Sequence, residues 1–219
     1  MSLISAIRHH FGSDEYVSYS SAHTPQPAPF TLVAVENSPH MPLYRCLLTL
    51  TSPEYTMAFS ESERVDIIAK FVYQLLQFAD TIRFTEKFGI CGNDCGSQFD
   101  KIIDKTCTVL RSEIKEGYTQ NVILHCAKFL KKRIYILSEL SEKHLIDKYL
   151  SMGSSNCAYY FDEKAISDSS TESLIIFKHQ SGIFYPLMFN KKDDLEMFAE
   201  YLINGENTQA YQSYDYKVE

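Results

Sequence analysis

Tryptophan is absent from this 219-residue chain, and no apolar run comes near the ~18 residues that a membrane-spanning helix needs. The core and any contact surface therefore lean on 15 tyrosines and 14 phenylalanines. Positive charge is short as well. Against 28 Asp and Glu there are 21 Lys and Arg, for a formal charge of −7. That sign argues against non-specific nucleic-acid binding, which draws its affinity from neutralised phosphates. The basic cluster Lys128 to Arg133 (KFLKKR) reads as a solvated helix end. G-x-x-x-x-G-K-[ST], G-x-G-x-x-G and G-x-S-x-G are all missing, which removes support for nucleotide and serine-hydrolase chemistry. There is no internal repeat and no low-complexity tract. The apolar run near Met1 is too short for a signal peptide and turns polar at once.

What is present is ordinary for one soluble globular core, with 45% hydrophobic and 22% charged residues. The six cysteines (Cys46, Cys91, Cys95, Cys107, Cys126, Cys157) lack disulfide-framework spacing. Reduced thiols in the cytosol or nucleus are the expectation, or in a host cytosol for a delivered effector. Cys91 and Cys95 are spaced C-x3-C and His125 adjoins Cys126, but neighbours on a helix point different ways. No metal and no cofactor is expected, and His9-His10 reads as solvent-exposed.

Residues 1–29 read as an arm ending in the proline-rich Pro25-Gln26-Pro27-Ala28-Pro29, residues 30–190 as the folded domain, and 191–219 as a helix and a mobile tail. Ser60-Glu61-Ser62-Glu63 is a capping box. It opens a helix with Val65, Ile68, Ala69, Val72, Leu75, Leu76 and Ala79 on one face. A second helix runs from Ser97 to about Gly117, with Leu110 and Ile114 inward. A third starts at Thr119 and leads into the strand Arg133–Leu137. Residues 138–172 are polar and predict one short helix around His144 to Leu150. Ser173–His179 and Gly182–Phe189 predict a hairpin, and Asp193–Ile203 a last helix closed by Gly205. The fold class is α+β: a small twisted sheet, from strands near 31–35, 133–137, 173–179 and 182–189, packed against several helices.

Four segments, in order, resemble the ovarian-tumour (OTU) family of cysteine proteases, the deubiquitinases. In Phe30 to Leu48 (FTLVAVENSPHMPLYRCLL), the strand Leu32-Val33-Ala34-Val35 and Leu43-Tyr44-Arg45 are similar to that family's x-V-x-V and D-G-N-C-L-[FY]-R. Asn121 to Leu137 resembles its alanine-leucine helix and following strand, and Leu174-Ile175-Ile176-Phe177 its penultimate strand. Gly182-Ile183-Phe184-Tyr185-Pro186-Leu187 resembles the last strand, G-x-H-Y-x-x-[LV]. The resemblance implies an OTU-like fold in which Pro42 stands at the nucleophile and Phe184 at the catalytic histidine. Proline offers neither a nucleophile nor a backbone N–H for an oxyanion hole. The implied function is a catalytically inactive pseudo-deubiquitinase: an interaction module whose partner is ubiquitin or another protein on the same face.

Two alternatives stand beside it. Gly92-Asn93-Asp94-Cys95-Gly96 resembles the D-C-G of ubiquitin-like-protein proteases, although the glutamine of that motif is replaced by Ile90. A thiolate at a helix N-terminus is stabilised there, so Cys95 with His179 or His125 as base would make an active cysteine protease. The third reading is a structural subunit of a larger assembly. Composition and spacing do not fix an oligomeric state.

Overall fold

The computed structural model describes residues 30–33, 41–90, 97–116, 118–138, 156–161, 172–178, 183–203, 208–212 and 214. The elements are β1 (Phe30–Leu32), α1 (Pro42–Thr51), α2 (Pro53–Met57), α3 (Glu61–Ile90), α4 (Ser97–Glu116), α5 (Gln120–Leu130), β2 (Arg133–Ser138), β3 (Asn156–Tyr160), β4 (Ser173–Lys178), β5 (Phe184–Phe189), α6 (Lys192–Ile203) and β6 (Thr208–Tyr211).

Local chemistry explains most of the helix starts. Prolines occupy the first turns of α1 and α2, where a missing N–H is harmless. The Ser52 side chain accepts from Tyr55 N–H to cap α2, and Thr119 does the same for Val122 at α5. At α3 the capping box closes as the sequence predicts, with Glu63 N–H donating to Ser60 Oγ and Ser60 N–H to Glu63 Oε2, both at 3.2 Å. α5 ends at Lys131, held left-handed at φ 53°, and the chain enters β2 two residues later.

The strands form a six-stranded mixed sheet in the order β1-β5-β4-β2-β3-β6. β2 and β4 are parallel, β4 and β5 antiparallel with Lys178 opposite Phe184, and β1 runs antiparallel to β5. Period-two alternation splits the core between the faces. Ile134, Ile136, Leu174, Ile176 and Phe184 join the residues buried by α1, α3, α4 and α5. Tyr135, Leu137, Ile175, Phe177 and Leu187 join Ala199 and Leu202 of α6 on the other side. Glu196 fastens α6 to the sheet, accepting from Arg133 at 2.7 Å and from Ser173 Oγ at 3.0 Å.

The α+β class and the four expected strands are present; β1 spans Phe30–Leu32, and positions 34 and 35 of the expected strand lie outside the described residues. Two expectations are corrected. The polar 138–172 stretch contributes a strand, β3, antiparallel to β2, while the helix expected near His144 lies outside the described residues. The tail is not wholly mobile, because Thr208–Tyr211 adds β6 parallel to β3. Tyr211 stacks on Tyr160 at 4.8 Å and accepts from Gln120 at 2.9 Å, which gives that short strand side-chain anchors.

Candidate functional site

The two positions singled out by the sequence fall on packed neighbours. Pro42 is the first residue of α1 and Phe184 the first of β5, α1 lies against β5, and Leu43 shares a buried cluster with Phe184. Met41, just before Pro42, is left-handed at φ 57° and ψ 50°, a conformation unfavourable for a residue with a Cβ. α1 begins with no side-chain cap and no acidic residue in its first turn.

Phe184 is 1% exposed. Tyr118 meets its ring edge-on at 4.6 Å, and the Lys178 ammonium lies 5.2 Å from the Tyr118 ring centre and 5.8 Å from that of Phe184. Phe184 is thus a hydrocarbon ring inside an aromatic–cation cluster. Such a ring can pack but cannot carry a proton.

The rest of the Leu43-Tyr44-Arg45 motif is scaffold. Tyr44 donates to the Ile114 carbonyl at 2.8 Å, tying α1 to α4, and its phenol is pushed well up by burial. Arg45 is buried and grips Glu61 at the start of α3 in two contacts, with its Nη1 3.4 Å from the Tyr55 hydroxyl. That grip raises the guanidinium further above its ordinary value. The motif therefore orients three helices, a role invisible in the spacing of the sequence.

Three of the described cysteines are held as neutral thiols. Burial pushes the thiols of Cys46 and Cys126 far up and that of Cys157 to about 12, so all three are neutral at physiological pH. Cys95, Cys91 and His179 lie outside the described residues. His125 is fully buried in α5 with both ring nitrogens occupied: Nε2 is 2.9 Å from the Leu75 carbonyl and Nδ1 is 3.0 Å from the Tyr214 hydroxyl. A carbonyl only accepts, so the proton sits on Nε2 and Tyr214 donates to Nδ1. Desolvation lowers its pKa to about 4. This imidazole ties α5 to α3 and to the tail, and its lone pair is already engaged. That role is not visible in local sequence, because Leu75 and Tyr214 are distant along the chain.

No group of three or more His, Cys, Asp or Glu side chains is arranged to hold a metal among the described residues. Among them, too, no helix is long and apolar enough to cross a membrane. Comparison with family models, with curated proteins and with solved structures returns no match.

Proposed function

We propose that the chain is a catalytically inactive, OTU-like interaction module, a pseudo-deubiquitinase, with ubiquitin as the partner to test first. One observation carries the reading: Pro42 opens α1 and Phe184 opens β5 on elements that pack together, and neither side chain can attack or accept a proton. The two substitutions reinforce each other. A thiol without an imidazole is a weak nucleophile at neutral pH, and an imidazole without a thiol has nothing to activate. The buried neutral thiols fit a reducing compartment.

Titration of mono- and di-ubiquitin, followed by fluorescence anisotropy, tests the reading. Saturable binding with both ubiquitin species recovered uncleaved is the expected result. An absence of binding at high concentration would remove ubiquitin as the partner. Cleavage of di-ubiquitin would overturn inactivity and return attention to Cys95 and His179.

A further inference from the structure

Phe59 is anomalous. Its side chain is 100% exposed, yet the backbone that carries it is pinned. Phe59 N–H donates to Glu63 Oε2 at 2.8 Å, the oxygen that also closes the capping box. In such a motif the residue before the cap commonly packs on an apolar residue at the fourth helical position. Here that position is Arg64, whose guanidinium reaches back to the Ala58 carbonyl at 3.4 Å, so the Phe59 ring is offered no staple. Met57, two residues earlier, is 67% exposed. Beside them a groove of about 360 Å³ is lined by Glu54, Met57, Ala58, Glu63, Asp66 and Ile67. Its floor is apolar, its charged lining is entirely acidic, and among the described residues neither Glu54 nor Asp66 makes an ion pair.

An exposed aromatic ring on a held backbone, adjoining Ala58 of an apolar groove along the chain, has the composition of an interface anchor. The carboxylate rim selects the partner by charge: it repels acidic surfaces and anionic lipid, and favours cationic side chains around an apolar centre. We propose that this α2–α3 corner is a docking surface for a protein segment whose apolar contact face is flanked by lysine or arginine. The surface is built from residues other than Pro42 and Phe184, so it goes beyond the reading above and does not depend on it.

The test uses the full chain and two labelled 16-residue synthetic peptides. One has leucines at helical spacing and lysines elsewhere; its twin has glutamate for every lysine. Anisotropy titrations should show saturable binding of the lysine peptide alone. Phe59→Ser should weaken it about tenfold, and Glu54→Lys/Asp66→Lys about threefold or more. Added salt should lower the affinity. Phe59→Ser should keep the circular dichroism and melting profile of the parent, since the exposed ring supports no packing, and the charge-reversal pair provides a second reading on intact protein. Absence of saturable binding, equal binding of both peptides, or an affinity unchanged by Phe59→Ser would overturn the proposal. Because the peptides contain no ubiquitin, their failure condemns this surface alone, and failure of the ubiquitin titration condemns only the preceding reading.

Discussion

Single side chains decide where this molecule is vulnerable. Phe184 is packed from two sides by Tyr118 and Lys178, so Phe184→Ala should cost about 3–5 kcal/mol, the range for removing a buried aromatic ring. A loss under about 1 kcal/mol in urea denaturation would contradict that packing. Arg45 and Glu61 make an asymmetric pair, with side chains 2% and 47% exposed. Removing the carboxylate in Glu61→Ala strands a buried cation, but water can reach the vacated place. The expected loss is therefore about 1–2 kcal/mol rather than the ~3–5 of a fully buried pair. His125 makes stability depend on pH. Its folded pKa of about 4 lies below the ordinary 6.5, so between those values the unfolded chain binds a proton that the folded one refuses. Stability should therefore fall as pH drops from 6.5 towards 4, by an amount on the order of 3 kcal/mol, and this contribution should stop changing below that window. Urea midpoints across the window should drop more steeply for the parent than for His125→Asn, whose amide does not titrate. Parallel slopes would refute the assignment.

At the level of elements, local signals were legible and distant pairings were not. The Ser60–Glu63 box and Thr119 cap announced α3 and α5, because each motif satisfies its amides within four residues. The apolar runs of β2 and β4 announced strands, and the fold buries both on two faces. Asn156–Tyr160 and Thr208–Tyr211 gave little warning. Each is short, and β6 exists because it meets β3 across a long stretch of intervening chain. The turn from α5 into β2 yields an element-scale prediction. Lys131 adopts φ 53° and ψ 42° at the C-cap, where glycine avoids the Cβ penalty. Lys131→Gly should raise stability by about 0.5–1 kcal/mol, visible as an upward shift of the thermal midpoint. A downward shift would mean that the lysine side chain contributes more than its backbone strain costs. The resemblance alone singled out Pro42 and Phe184, whereas the Arg45 clamp needed helix packing to become visible.

For the whole molecule, five helices on one face of the sheet and α6 on the other bury both sides of β2 and β4, and α1 packs against β5. The chain is acidic, with Phe184 closed into an aromatic cluster and Phe59 fully exposed. The central proposal is that this chain is a catalytically inactive interaction module. Incubation of the full chain with ubiquitin bearing a cysteine-reactive group at its C-terminus, read by intact-mass spectrometry, tests it most directly. The account predicts unmodified protein after prolonged exposure. A stoichiometric adduct that disappears in Cys95→Ala would contradict it and identify the chain as an active cysteine protease.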